Sequence, residues 1–156
     1  MALKRKLQLA GIVILVGLIA IQFVHPARNQ SATAGPNAIA TNHPVPANVA
    51  QILQRACYDC HSNNTHYPWY AAVQPVGWWL NSHVNDGKRH LNFSEFSAYP
   101  AKRAKTKAGE IVDEVELRHM PLKAYTWLHP EARLTPAEIA LVVDWAENLQ
   151  EAIVVP

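Results

Sequence analysis

Apolar residues recur at helical spacing in four segments of the chain, and no segment alternates between apolar and polar residues as a strand does. The first segment opens at Pro46 and runs directly into Cys57, and the second opens at Pro75. The third spans residues 101–118. The pattern therefore predicts an all-α domain built from a small number of helices.

The fourth segment carries the clearest helix start. Thr135-Pro136-Ala137-Glu138 has the sequence of a capping box with proline at the first helical position. The buried stripe predicted behind it consists of Ile139, Val142, Trp145, Ala146 and Leu149. Between the predicted helices lie the long polar stretches 62–74 and 88–99. Loops of that length in a compact helical domain need something to pack on.

The N-terminus has the pattern of an export signal. Lys4, Arg5 and Lys6 precede an apolar run over residues 7–24 that only Gln8 and Gln22 interrupt. The length of the run favours an uncleaved transmembrane helix. Positive charges are retained on the cytoplasmic side. The sequence thus predicts a single-pass signal anchor over residues 1–24 in a bacterial cytoplasmic membrane, with the rest of the chain in the periplasm or extracytoplasmic space.

Two small-residue motifs, at 32–34 and 38–40, match signal-peptidase sites but lie far beyond the apolar run. Residues 25–45 are rich in Pro, Ser, Thr, Asn and Ala and show no apolar period, which predicts a flexible linker. The remaining residues 46–156 are enough for one hydrophobic core.

Composition narrows the function. The formal net charge is +2, from 14 basic and 12 acidic residues, and three of the basic residues belong to the N-terminal cluster. The rest of the chain lacks the basic excess that nucleic-acid binding requires, so no nucleic-acid partner is expected. The chain has two cysteines, Cys57 and Cys60, too few for a disulfide scaffold.

The two cysteines belong to Cys57-Tyr58-Asp59-Cys60-His61, the C-x-x-C-H attachment motif of c-type haem. Two thiols at this spacing can reach the two vinyl groups of one porphyrin, and the following histidine can ligate the iron. One covalently attached haem is predicted, with His61 as proximal ligand. The alternatives are a thioredoxin-like dithiol, a zinc site, a disulfide, or two structural thiols at this spacing by chance.

Met120 is the candidate distal iron ligand. It is the only methionine besides Met1, and Pro121 follows it. Met/His ligation raises the reduction potential of haem iron. The rival ligands are His83, His119 and His129. The aromatic side chains predicted as pocket walls are Trp69, Tyr70, Trp78, Trp79, Tyr99, Tyr125 and Trp127, and Arg55, Lys88 and Arg89 are the candidate partners of the haem propionates.

The chain resembles a family of bacterial haem-binding domains related to class I cytochromes c. The resemblance covers nearly the whole predicted domain and includes the short N-terminal apolar segment. It is carried by the C-x-x-C-H motif with Ser62-Asn63, Tyr67-Pro68-Trp69-Tyr70, Pro75-Val76-Gly77-Trp78, His90-Leu91-Asn92-Phe93-Ser94-Glu95, Met120-Pro121 and the stretch from Leu128 to Thr135. It implies a cytochrome c-like helical domain with long loops wrapped on one haem. It also implies haem attachment by Cys57 and Cys60, proximal ligation by His61 and distal ligation by Met120.

The favoured function is a single-haem electron carrier at the outer face of the membrane. It would exchange electrons with a redox protein that the sequence does not identify, and it would not be an enzyme. A haem-based sensor or a peroxidase-like enzyme with a displaceable distal ligand is the alternative. A haem-free module held by a disulfide or zinc is the third hypothesis.

Overall fold

A computed structural model describes residues 2–31 and 35–156 of the chain. Within these residues the structure is helical, and the only strand-like pairing is an isolated bridge between Gln30 and Asn64. The prediction of an all-α fold is confirmed. The helices are α1 (Ala2–Ile21), α2 (Ile39–Asn42), α3 (Ala47–Ala56), α4 (Tyr58–His61), α5 (Val76–His90), α6 (Ala101–Glu116), α7 (Lys123–Leu128) and α8 (Pro136–Ala152), with 3₁₀ turns at Trp69–Ala72, Phe96–Ala98 and Pro130–Ala132.

The hydrophobic core lies where α6 and α8 pack against each other and α3 packs on α8. Helices α3, α6 and α8 each bury one face, as their apolar spacing predicts. The predicted stripe on α8 is buried at Val142, Trp145, Ala146 and Leu149, while Ile139 packs partly buried at its edge. This three-helix core supports α4, which continues the chain directly after α3.

The start of α8 follows the predicted capping box. The Thr135 hydroxyl accepts a hydrogen bond from the Glu138 N–H, and the Glu138 carboxylate accepts one from the Thr135 N–H. Pro136 occupies the first helical position. Glu138 also pairs with Arg55 at 2.5 Å, which connects this helix start to the end of α3.

No helix among the described residues is long and apolar enough to cross a membrane. The predicted single-pass transmembrane anchor over residues 1–24, and with it the predicted location as a single-pass protein of the cytoplasmic membrane, are therefore wrong. The physical reason lies in the bounds of α1, which takes in Lys4, Arg5 and Lys6 and ends at Ile21. Its apolar part, residues 7–21, is only about 22 Å long at ~1.5 Å per residue, against a hydrocarbon core of about 30 Å.

The chain after α1 is hydrogen bonded to the domain. The Gln22 side chain exchanges two hydrogen bonds with the backbone of Gln74, and the Trp78 indole donates to the Val24 carbonyl at 2.8 Å. Further along, Ile39 is 1% exposed in the core. The Trp145 indole donates to the Pro44 carbonyl at 3.1 Å. The division of the chain at residue 45 stays a prediction, and the motif at 32–34 lies outside the described residues.

Asn29 holds this segment against the region that follows His61. Its backbone carbonyl accepts from the Thr65 N–H, and its side-chain amide donates to the Ser62 carbonyl and the Thr65 hydroxyl. Its side-chain oxygen accepts from the Lys88 ammonium on α5. The polar stretch 62–74 is therefore ordered in part by hydrogen bonds to the N-terminal segment.

Candidate functional site

The cysteine motif lies at a bend between two helices. Helix α3 ends at Ala56, Cys57 leaves helical geometry with φ −126° and ψ −42°, and α4 begins at Tyr58. One turn of backbone then closes, because the His61 N–H donates to the Cys57 carbonyl at 2.9 Å. The bend brings Cys57, Cys60 and His61 to the wall of one cleft.

The cleft has a volume of about 370 Å³, within the ~300–1,000 Å³ typical of small-molecule and cofactor sites. Met120 lies on its wall together with the three residues of the motif, although 59 positions separate it from His61 in the sequence. The exposed lining is mainly apolar, with contributions from Leu53, Ala56, Leu91, Phe93, Ile111, Val115, Pro121, Leu122 and Val142. The structure thus brings all four predicted site residues together around one apolar space.

His61 is oriented by two backbone carbonyls. Its Nδ1 lies 3.0 Å from the Gly87 oxygen and 3.0 Å from the Leu91 oxygen, both at the end of α5. Because carbonyls only accept, Nδ1 must carry the proton, which leaves the Nε2 lone pair unprotonated. Burial lowers the pKa of His61, although the two carbonyl contacts partly offset it. The ring is therefore neutral, in the tautomer that binds a metal ion through Nε2.

The two thiols are free and protonated. Burial, reinforced by the neighbouring thiol, raises the pKa of Cys57 to about 12, and burial together with Asp59 raises that of Cys60 to about 11. A redox-active dithiol requires the opposite shift, a lowered pKa at the attacking thiol. Moreover, no three His, Cys, Asp or Glu side chains among the described residues are placed to hold a metal ion together. The dithiol, disulfide and zinc hypotheses thus gain no support from the geometry.

Gly87 allows α5 to approach the cysteine motif closely. A Cβ at this position would lie 2.6 Å from the Cys60 carbonyl oxygen and 3.1 Å from the Cys60 Cβ. Only glycine leaves room for this contact between two backbones. The sequence predicts that Gly87 ends the second helix, but α5 continues to His90. The glycine is needed for packing, and the same turn of α5 supplies one of the carbonyls that orient His61.

Asp59 ties the motif to α7. Its two carboxylate oxygens accept from the His66 N–H and from the Tyr125 hydroxyl, the latter at 2.8 Å, and its backbone carbonyl accepts from Thr65. Burial and the Asp59 carboxylate raise the pKa of Tyr125, which keeps its hydroxyl protonated as the donor. Helix α7 begins three residues after Met120, so this bond links the two sides of the cleft.

The backbone at the end of α6 determines the position of Met120. Arg118 adopts the left-handed conformation with φ 57°, and it donates to the Val115 carbonyl while His119 donates to the Glu114 carbonyl. These are the two bonds of a Schellman motif, in which glycine usually occupies the left-handed position. The Met120 N–H also donates to Glu114 at 3.0 Å, and a cis peptide bond joins Met120 to Pro121.

The left-handed position gives a stability prediction. Arg118→Gly is expected to raise the free energy of unfolding by about 1 kcal/mol, since a left-handed conformation costs an L-residue roughly 1–2 kcal/mol while flexibility in the unfolded glycine chain offsets part of the gain. Arg118→Val should destabilise instead, because a β-branched residue fits this conformation poorly. Urea denaturation of the two variants checks the sign. Equal stability of the glycine and valine variants would contradict the prediction.

The other histidines considered as distal ligands differ in their position relative to the cleft. His83 lies on the cleft wall, whereas His119 and His129 lie outside it. The three cations proposed as propionate partners already have partners: Arg55 pairs with Glu138, Lys88 with Asn29, and Arg89 with Asp86, which itself lies on the cleft wall. Charged or titratable cleft residues that the sequence analysis missed include Asp86, His90, Lys107, Glu110 and Glu114. Their helical positions beside the cleft could be found only once α5 and α6 had been placed.

A family model described as a haem-binding domain matches residues 16–148 of the chain, which includes every residue discussed at the cleft. The match begins before the segment held by Asn29 and ends within α8. Neither a search of curated proteins nor a search of solved structures gave a match.

Proposed function

Because the chain belongs to the haem-binding domain family, we propose that it is a single-haem c-type cytochrome that transfers electrons, with the haem bound covalently through Cys57 and Cys60. The observation that carries the proposal is the convergence of Cys57, Cys60, His61 and Met120 on one apolar cleft. The resemblance to class I cytochromes c points the same way.

The residues fit the group in chemistry as well as position. Two protonated thiols can add across two vinyl groups to form thioethers, and the free Nε2 of His61 suits proximal iron ligation. The Met120 thioether, a neutral and soft donor, suits the opposite position. The apolar lining matches the faces of a porphyrin, while His90 is a cleft residue whose polar end suits a propionate. The Lys107 ammonium, on the same wall, is paired with Glu110 at 2.5 Å.

When bound, the haem supplies a one-electron Fe(III)/Fe(II) couple. The chain's own residues hold the ligands still and keep water away. The two carbonyls fix the His61 ring, so its orientation need not change when an electron is gained or lost. The Asp59–Tyr125 hydrogen bond and the ordered end of α6 hold the Met120 side of the cleft in the same way. A preorganised site of this kind suits electron transfer rather than substrate chemistry.

Covalent attachment is tested by producing the full chain together with a cytochrome c maturation system. After denaturation, haem should stay with the polypeptide in a haem stain and give a pyridine haemochrome spectrum of the thioether type. The Cys57→Ala/Cys60→Ala variant is expected to lose all covalent haem, since no other thiols are present in the chain.

The matched control for this experiment is Ser62→Ala, which changes a neighbouring residue that has no thiol. It should retain covalent haem. Folded wild-type protein whose haem is extracted entirely by acidified solvent would refute covalent attachment, while leaving coordinated haem open to spectroscopic detection.

A further inference from the structure

A hydrogen-bonded relay of Tyr70, His129 and Glu131 lies beside the cleft, and these three residues are not part of the cleft wall. His129 Nδ1 lies 3.1 Å from the Glu131 carboxylate and its Nε2 lies 2.6 Å from the Tyr70 hydroxyl. A carboxylate can only accept, so Nδ1 carries a proton, and in the neutral imidazole Nε2 then accepts from the phenol. In that form the relay runs from the Tyr70 phenol through the His129 imidazole to the Glu131 carboxylate.

The relay is connected to the cleft through ring contacts. The His129 ring stacks on the Tyr125 ring with centroids 4.4 Å apart and planes 20° apart, and Tyr125 lies on the cleft wall with Met120. The Tyr70 and His129 rings are 6.2 Å apart. A small apolar cavity of about 50 Å³, lined by Tyr70, Tyr125 and His129 among others, lies between the relay and the cysteine motif.

The same relay reaches the surface in the other direction. The Trp69 ring lies 5.9 Å from the Tyr70 ring, edge to face, and Trp69 is 81% exposed. Trp69, Tyr70, His129 and Tyr125 thus form a continuous series of aromatic contacts from the solvent to the cleft. Because the Trp69 side chain is mostly exposed, its burial contributes little to the free energy of folding. Packing therefore does not explain its position.

We propose that Tyr70 is a proton-coupled redox site that traps one-electron oxidising equivalents delivered at the Trp69 surface by a strong outer-sphere one-electron oxidant. In this step Tyr70 loses one electron to a strong outer-sphere one-electron oxidant, which is reduced by that electron. The phenolic O–H bond breaks and the proton forms a new N–H bond at His129 Nε2. The products are a neutral tyrosyl radical and an imidazolium, which the Glu131 carboxylate stabilises.

The chemistry needs a base at this position. Removing an electron from a phenol that keeps its proton leaves a strongly acidic radical cation, so a positioned acceptor lowers the barrier. Burial, together with the Asp59 and Glu131 carboxylates, raises the pKa of Tyr70, so the ground state is the protonated phenol. The proposal goes beyond the proposed function and does not depend on it, because the oxidant acts at the exposed Trp69 surface.

The test uses the full haem-loaded chain in its ferric state and an external photo-oxidant, a ruthenium tris-bipyridine complex with persulfate. The readout is the organic radical, followed by flash absorption and by electron paramagnetic resonance of frozen samples. We expect a tyrosyl radical that is absent in Tyr70→Phe. The rate of its formation should fall by ~10²-fold in His129→Gln, the loss typical of a removed base.

The His129→Gln variant separates the proton role from a structural one. The glutamine oxygen can still accept the Tyr70 hydrogen bond but does not take up its proton. If wild-type kinetics are retained in this variant, or if the radical persists in Tyr70→Phe, the proposal is overturned. The control is Tyr99→Phe. In the wild type the Tyr99 hydroxyl accepts from the Asn92 N–H and does not belong to the relay, so its removal should leave the signal unchanged.

A second variant guards against misfolding of the first. Glu131 is exposed and its loss should leave the fold intact, yet Glu131→Gln removes the carboxylate that stabilises the imidazolium. The radical should then form on the order of tenfold more slowly, because the charge-assisted hydrogen bond to the imidazolium becomes a neutral one. An unchanged rate would also overturn the proposal. Because no haem band is read, these outcomes are independent of thioether bonds and of Met120.

Discussion

A Met120→Ala variant is expected to retain its covalent haem but to have a reduction potential lower by on the order of 0.1 V, a fraction of the ~0.8 V range that axial ligands span. The thioether favours Fe(II), and water or no ligand at that position does not. The freed position should also bind cyanide faster than in the wild type. Spectroelectrochemical titration and stopped-flow cyanide binding measure the two effects.

Leu122→Ala is the matched control for this variant. Leu122 lies on the same cleft wall two residues beyond Met120, so its truncation enlarges the cleft without removing a donor. The potential should change little in that variant. If Met120→Ala instead kept the wild-type potential and cyanide rate, Met120 would not be the ligand. A wild-type protein that already binds cyanide rapidly would favour the sensor or peroxidase-like function.

A Gly87→Ala variant is expected to unfold about 1–3 kcal/mol more easily than the wild type, the usual cost of forcing extra volume into a packed contact. The new methyl group would meet the Cys60 carbonyl at 2.6 Å, and a backbone cannot rotate away as a side chain can. Moving α5 outward would also carry away the two carbonyls that orient His61. The midpoint of thermal denaturation and the yield of attached haem should both be lower than in the wild type.

Gly109→Ala in α6 makes the comparison specific. There the added methyl group would meet only the flexible end of the Gln150 side chain, which can move. Both substitutions gain roughly 0.8–1 kcal/mol of helix propensity, so their difference isolates the backbone contact. Equal stabilisation of the two variants would show that α5 and the cysteine motif are not packed as described.

Sequence reasoning located the parts of this molecule whose signals are local. Three features depend only on residues that are close in the sequence, and their spacing predicts them: the capping box at Thr135, the apolar faces of α3 and α6, and the C-x-x-C-H motif. The helices α4 and α7 are too short to show a period and were missed. The predicted end of α6 lies within two residues of the observed end. The left-handed conformation of Arg118 could not be predicted, because arginine has no preference for it.

The remaining misjudgements come from contacts between distant segments. Gly87 reads as a helix stop from its own sequence, and only the position of Cys60 explains why it lies inside α5. Likewise, the apolar run at the N-terminus was counted past the helix end and without the basic residues that α1 includes. The acceptors beside the candidate propionate partners Arg55, Lys88 and Arg89 likewise became visible only in the structure.

The hydrogen bonds of Asn29 determine how far the chain can be shortened without disturbing the cleft. A version shortened to begin at residue 46 would lose Ile39 from the core and would leave Ser62, Thr65 and Lys88 without their Asn29 partners. The stretch directly after His61 would then have fewer contacts to keep it ordered. Fusions, grafted domains and trimmed versions meant to keep the cleft intact should therefore retain the chain from Gln22 onward.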